Sequence, residues 1–370
     1  MLHLFTSGSI TSSHPVYESS SNTKGYRMLT TNRSEQPDRL TIHHLSSNES
    51  QNSFAQDVLV GLTSNPKTLL PKYFYDDLGS RLFEAICCLP EYYVTRDEIE
   101  IISERIEEIT SEIKIPDNGS LQLIELGSGS AEKTRFVIES FLRRDADVHY
   151  LPIDISSSSL ERSSKELLLA YPRLRITAYS ADYASALGAL QKTETNESQA
   201  LRTLVLFFGS SIGNLDPAES RDLLRKVRMA LNPGDSLLIG ADLKKSTDIL
   251  IPAYDDALGV TAAFNLNLLV RINRELGGHF DLAKFRHRAL YNEEHGRIEM
   301  HLFSSERQVV RIDRINLEVN FAEDESLHTE NSYKYSVEDL QELATVTGFY
   351  LNRTWHDKSH HFSVNLFTAR

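Results

Sequence analysis

Residues 121–135 read LQLIELGSGSAEKTR, an apolar run of strand length that ends in Glu125 and Leu126, passes through Gly127-Ser128-Gly129-Ser130 and opens into a helix-like segment over 134–143. A strand, a glycine turn and a helix start follow one another. Glycine lets the backbone turn tightly and approach a ligand, while the free N–H groups of the next helix can face an anion or a carboxylate. Such a turn belongs at the carboxyl end of the first strand of a doubly wound sheet. The third glycine of a G-x-G-x-x-G pattern is missing, and Gly-x-Gly also occurs in ordinary strand-to-helix turns. The turn by itself names no ligand.

The next segments narrow the choice. VHYLPIDI (148–155) reads as a second strand ending in Asp154, and ITAYSADY (176–183) as a third closed by Asp182 and Tyr183. A carboxylate closing the second strand can accept both hydroxyls of a ribose, and a polar-aromatic pair closing the third can hold an adenine edge and face. This order, E-x-G-x-G then acid then acid, resembles the S-adenosylmethionine-dependent methyltransferase fold more than a dinucleotide dehydrogenase. A fourth strand with a continuous apolar run at 204–208 suits a parallel strand covered on both faces. The loop 209–215 then lies over the carboxyl edge, and a helix (218–231) and strand (236–243) continue the alternation.

The chain has 370 residues, 40% hydrophobic and 25% charged, as expected of a globular protein with two domains or one domain carrying a large insertion. A net charge of −13 argues against nucleic acid as the main partner and leaves a small molecule as the simpler expectation. No apolar run reaches membrane-spanning length. The two cysteines, Cys87 and Cys88, are adjacent in an apolar context and read as buried packing in a reducing, cytoplasmic setting. Thirteen histidines include the adjacent pairs His43-His44 and His360-His361, but no H-E-x-x-H accompanies them, so no metal is expected. Gly209-Ser210-Ser211 is not a G-x-S-x-G elbow.

Residues 1–53 are rich in Ser, Thr and Asn without apolar period and read as a disordered extension. From Phe54 a helical lead-in begins, with helices near 57–62 and 77–86, and Thr95 reads as an N-cap with Glu98 as its capping-box partner. Its aromatic clusters, Tyr73-Phe74-Tyr75 and Tyr92-Tyr93, read by spacing as packing between helices. After 245 the alternation gives way to helices and a strand meander at 297–304, 308–312 and 315–321, while Ser336 caps a helix and strands at 349–355 and 361–368 resume the sheet. The expected division is a substrate-binding domain from 54–97 and 246–335, and a Rossmann-like α/β methyltransferase domain from 98–245 and 336–370.

Six collinear runs, PKYFYDDLGSRLFEAICCLPEYYVTRDE, IELGSGSAEKTR, LPIDIS, FFGSSIGNL, AYDDALGVTAAFN and HTENSYKYS, resemble the histidine-specific Nα-methyltransferases of ergothioneine biosynthesis. The resemblance spans about 54–370 and implies S-adenosylmethionine as cofactor, free L-histidine as substrate, and a methyltransferase domain joined to a substrate domain of α+β type. It implies that Gly127 lets the chain pass close to the sulfonium amino acid, that Lys133 faces its carboxylate, that Asp154 takes the ribose, and that Asp182 with Tyr183 takes the adenine. Where this chain has Tyr183 the family often has Phe.

On the substrate side the resemblance implies Asn214 and Tyr254 at the carboxylate and ammonium end, Tyr92 and Tyr75 lining the pocket, and Glu330 with Ser332 receiving the imidazole. On position alone Glu330 follows the acidic run Glu323-Asp324-Glu325 and reads as a solvated charge. An imidazole donates one N–H and accepts at its other nitrogen, which a carboxylate beside a hydroxyl matches. Asn214 and Tyr75 are the catalytic candidates, with Tyr75 or a bound water taking the ammonium proton. The partner expected is L-histidine alone, acted on by a monomer without nucleic acid or membrane. Two rivals remain: methylation of another amino acid such as a tryptophan derivative, and a regulatory module that binds S-adenosylmethionine without catalysis.

Overall fold

The strand that precedes the glycine turn is covered on both faces, and the rest of the sheet is built outward from it. A computed structural model describes residues 39–45, 50–115, 119–192 and 201–370. In chain order its strands are β1 (Leu40–His44), β2 (Lys67–Thr68), β3 (Ser120–Leu126), β4 (Asp147–Asp154), β5 (Arg175–Ser180), β6 (Leu201–Phe207), β7 (Ser236–Asp242), β8 (Phe285–Asn292), β9 (Arg297–Ser304), β10 (Gln308–Ile312), β11 (Leu317–Phe321), β12 (Ser326–Tyr333), β13 (Phe349–His356) and β14 (Phe362–Ala369). The α-helices are α1 (Ser50–Thr63), α2 (Asp77–Ile86), α3 (Tyr93–Ser111), α4 (Glu132–Arg143), α5 (Ser157–Ala170), α6 (Tyr183–Lys192), α7 (Pro217–Met229), α8 (Thr247–Tyr254), α9 (Val260–Leu276) and α10 (Val337–Val346).

The larger sheet has the order β1-β5-β4-β3-β6-β7-β14-β13. Its first six strands pair in parallel, and β14 and β13 close it antiparallel. The chain leaves β3 in one direction through β4 and β5 and returns to its other side at β6. Loops after β3 and β6 therefore diverge, opening a crevice at the carboxyl edge. This is the α/β, Rossmann-like sheet expected from the alternation.

The smaller sheet, β2-β12-β9-β8, comes from the lead-in and the insertion. Phe264, Leu268, Ile272 and Leu276 recur at helical spacing along α9 and are buried. One apolar core is continuous from Leu121 and Leu204 of the larger sheet to Phe264 and Ile298 of the smaller layer, and Asp38–Arg370 forms a single unit. The expected meander is corrected in one respect: β10 and β11 form a separate two-stranded ribbon, and it is β12 that pairs with β9.

Four further expectations need correction. Residues 40–44 and 50–53 are not an unstructured extension, because α1 starts at Ser50, β1 pairs with β5, and the Arg39 guanidinium donates to the carbonyls of Leu168, Tyr171, Pro172 and Leu174. The remainder of 1–53 up to α1, apart from Arg39 and Leu45, lies outside the described residues. The third strand ends at Ser180, and Tyr183 instead begins α6, since the Asp182 side chain accepts from the Ser185 amide. Thr95 lies inside α3, whose N-cap residue is Tyr92, and the Glu98 side chain is used elsewhere. Cys88 is exposed rather than packed.

Removing residues 1–45 should destabilise the protein by about 2–4 kcal/mol relative to removing 1–37, because half-buried Leu40 and Ile42 and the Arg39 contacts go with β1. Chemical denaturation of the two truncations checks this; equal midpoints would show that β1 adds nothing.

Candidate active site

The glycine turn is held in place from beneath. Glu125 at the end of β3 is buried and accepts from Thr134 Oγ1 at 2.6 Å and from the Tyr150 hydroxyl. Burial pushes its pKa up to about 7 against these bonds. Gly127 takes a positive φ of 75°, and a Cβ there would lie 2.8 Å from the Tyr183 hydroxyl, so both backbone conformation and space call for glycine. A Cβ on Gly129 would meet nothing within 4 Å, which leaves that side of the turn open. Ser128 Oγ is buried without a hydrogen-bond partner, an unmet polar group of the kind that a bound ligand satisfies.

Asp154 ends β4 and accepts from the Gly129 amide at 2.8 Å and the Ser156 amide at 2.8 Å. Burial raises its pKa despite those amides. One carboxylate thus ties the turn to the next strand and keeps lone pairs for a ligand. Asp182 accepts from Ser185 N at 2.9 Å and Oγ at 2.7 Å, and Tyr183 sits edge-on to Phe207 with ring centroids 5.6 Å apart. Gly127, Asp154 and Tyr183 are therefore brought to one edge, with Asp182 next to them as the cap of α6. Glycine turn, carboxylate and aromatic ring fit the adenosyl group of S-adenosylmethionine.

Lys133 is joined to this edge by a residue that local pattern assigned to a helix cap. Its Nζ donates to Glu98 Oε2 at 2.6 Å, and the same fully buried carboxylate accepts from the Gly209 amide at 2.8 and 3.0 Å. Room for Glu98 comes from Gly240 in β7, where a Cβ would stand 1.9 Å from Glu98 Oε1. Glu98 so links the cofactor side to the loop after β6.

That loop carries Asn214. A Cβ on Gly213 would lie 2.7 Å from the Tyr333 carbonyl, so the loop is pressed against β12. Asn214 Nδ2 then donates to Glu330 Oε1 at 3.2 Å. Glu330 is only 7% exposed, which overturns its reading as a solvated charge. Burial drives its pKa up to about 8, opposed by Lys334. A bulge between His328 and Glu330 re-aims the strand just before it.

Two residues on, Ser332 Oγ lies 2.9 Å from the Tyr254 hydroxyl. Lys334, which sequence reasoning missed, donates to both at 2.8 and 2.7 Å and to Asp242 Oδ2 at 2.7 Å. Asp242 also binds Lys245 and accepts from the Tyr93 hydroxyl at 2.9 Å. Although burial opposes it, the two lysines hold Asp242 below the ordinary carboxylate range. The alternation E-x-S-x-K in 330–334 was a signal that these three share one strand face.

An aromatic wall completes the site. Tyr254 packs edge-on to Tyr92 at 6.0 Å, Tyr92 to Phe83 at 6.3 Å and Phe83 to Tyr75 at 5.7 Å. Burial raises the phenol of Tyr75 well above its usual value, with Glu330 adding to the effect, so it stays protonated near neutrality. Tyr75 is thereby suited to positioning and unsuited to being the standing base. Among the described residues, Asp97, Asp357 and His361 could group metal-ligand atoms within 4.8 Å, but Asp357 already accepts the amides of Ser359 and Phe362.

The family model described as "Histidine-specific methyltransferase, SAM-dependent" matches residues 54–369. A histidine N-alpha-methyltransferase of Mycolicibacterium smegmatis is 40% identical over 326 residues, covering 88% of this chain and 97% of that protein. One of Mycobacterium tuberculosis is 37% identical over 324 residues, with 88% and 97% covered. An L-tryptophan methyltransferase of Psilocybe serbica is 25% identical over 318 residues, with 81% and 88% covered. With the glycine turn, the acids that follow it and this match agreeing over the same residues, the chain belongs to the S-adenosylmethionine-dependent, histidine-specific methyltransferase family.

Proposed function

We propose that the protein transfers methyl groups from S-adenosylmethionine to the α-amine of L-histidine, giving Nα,Nα,Nα-trimethylhistidine (hercynine) for ergothioneine biosynthesis. The observation that carries the reading is the buried carboxyl of Glu330, bonded to Asn214 and two residues from Ser332 on a strand beside an aromatic wall. In this reading Glu330 accepts the imidazole N–H, Asn214 and Tyr254 hold the carboxylate and ammonium end, and Tyr75 and Tyr92 line the pocket. Residues 54–97 and 246–335 then act as the substrate-binding domain and 98–245 with 336–370 as the methyltransferase domain.

S-adenosylmethionine, when bound, supplies an electrophilic methyl on a sulfonium. What the chain must do is hold a neutral amine in line with it and keep water out. In this reading Gly127 lets the chain pass close to the cofactor's amino acid, Asp154 takes its ribose, Lys133 faces its carboxylate, and Asp182 with Tyr183 takes its adenine. Because Tyr75 is held protonated, a bound water takes the ammonium proton. A monomer in the cytoplasm, with no nucleic acid or membrane as partner, is the setting we propose. The net charge of −13 and two free cysteines support it, and no described helix is long and apolar enough to cross a membrane. Mass spectrometry of a reaction with free histidine tests the function: products carrying one, two and three added methyls are expected, and methylation of tryptophan alone would overturn it.

Asp154→Ala should weaken binding of S-adenosylhomocysteine about 10- to 100-fold, the worth of hydrogen bonds to a charged group. Calorimetry giving wild-type affinity in the folded variant would remove Asp154 from the cofactor site. A second expectation concerns pH. The folded-state pKa of Glu330 lies above its ordinary 4.5, so ionising it costs the folded protein more than the unfolded chain. Its share of stability is whole below about pH 4.5 and is lost as the pH rises through about 8. Ligand-free Glu330→Gln, which cannot ionise, should therefore exceed wild type by a few kcal/mol above about pH 8, the gap closing toward pH 4.5. Parallel stability curves would contradict the buried, uncharged carboxyl.

A further inference from the structure

Lys334 has no exposed side-chain surface, and its ammonium faces three acceptors: Asp242 Oδ2 at 2.7 Å, the Tyr254 hydroxyl at 2.7 Å and Ser332 Oγ at 2.8 Å. An ammonium has three N–H donors and no lone pair. All three are spent. Asp242 is in turn fixed by Lys245 and the Tyr93 hydroxyl, so Lys334 keeps its charge. Each of the two hydroxyls accepts from Lys334 and must turn its own proton elsewhere.

The hydroxyls of Tyr254 and Ser332 are 2.9 Å apart, and one of them donates to the other. A phenol is the stronger acid and the weaker acceptor, so Tyr254 donates and Ser332 accepts. Ser332 then has both lone pairs engaged, by Lys334 and by Tyr254. Its remaining function is its O–H, the one unspent donor among Lys334, Tyr254 and Ser332. Glu330 lies two residues away on the same strand, where alternate residues share a face.

We propose that Lys334 is a positioning residue that fixes Ser332 as a hydrogen-bond donor, so that the site reads the acceptor nitrogen of a neutral imidazole while Glu330 reads its N–H. The inference rests on the histidine reading above and deepens it. It excludes two kinds of ring. An imidazolium has no lone pair to accept from Ser332 and would approach the Lys334 charge. An indole or pyrrole offers an N–H to Glu330 but leaves the Ser332 donor unpaired, and sites built around a polar contact reject such molecules through that unpaired group.

The test compares histidine with 3-(pyrrol-2-yl)alanine and 3-(pyrrol-3-yl)alanine, rings of nearly the same shape that each keep an N–H at one of the two imidazole nitrogen positions and lack the other nitrogen, on wild type and on Lys334→Met, and takes the better of the two as the pyrrole analogue. Wild type should favour histidine by about 10- to 100-fold in kcat/KM. In Lys334→Met most of that preference should vanish, through a higher KM for histidine more than a lower kcat, with calorimetric affinity for S-adenosylhomocysteine unchanged. An undiminished preference in a folded Lys334→Met would overturn the proposal. If that variant does not fold, Lys334→Gln, which has two N–H donors for the three acceptors and no charge, takes its place, and an undiminished preference in it overturns the proposal, as does equal kcat/KM for histidine and its pyrrole analogue in wild type. Absence of any histidine turnover by wild type would instead defeat the proposed function.

Discussion

Asp242, at the end of β7, has no solvent exposure, and an unpaired carboxylate there would cost several kcal/mol. The protein meets that cost with groups from three directions: Tyr93 at the start of α3, Lys245 just beyond β7, and Lys334 just beyond β12. The pairing therefore fastens the smaller sheet to the carboxyl edge of the larger one. Backbone bonds beside it, from the Tyr335 amide to Asp242 and from Lys244 to Tyr335, continue the join. Glu330 and Ser332 lie on the strand that this ion pair anchors, and the same Lys334 ammonium holds the Tyr254 hydroxyl at the end of α8.

A second buried carboxylate does the same for the cofactor side. Glu98 binds Lys133 and the Gly209 amide, while Gly240 leaves the space it occupies. The loop from Gly209 to Asn214 is thus held at one end by Glu98 and pressed at the other against Tyr333. Because Asn214 reaches Glu330 from that loop, the two halves of the site share one short segment. A methyl transfer needs donor and amine aligned within a fraction of an ångström, which calls for rigid supports of this kind.

Much of this was legible before the structure, and the parts that were not have a common cause. Local periodicity gave the bounds of α2, β9 and β10 as the structure has them, and Ser336 caps α10 as read. β1 was hidden because LTIHH in a polar stretch becomes a strand only by pairing with β5, and Glu98 because its carboxylate serves a lysine 35 residues away rather than the helix start. Glu330 looked solvated beside an acidic run, while its burial depends on the loop after β6 closing over it. The alternation around Lys334 showed which face it shares but not its partner, and Asp242 carried no local signal, since their pairing spans 92 residues.

We propose that Glu330, presented by β12 against Asn214, receives the imidazole of the amino acid substrate. The most direct measurement is a crystal structure of the ternary complex with S-adenosylhomocysteine and L-histidine. The imidazole N–H is expected on Glu330, its other nitrogen facing Ser332, and the α-amine turned toward the sulfur of the cofactor product. Histidine bound with its ring away from Glu330, and the Asn214–Glu330 bond left as it is without ligand, would contradict it.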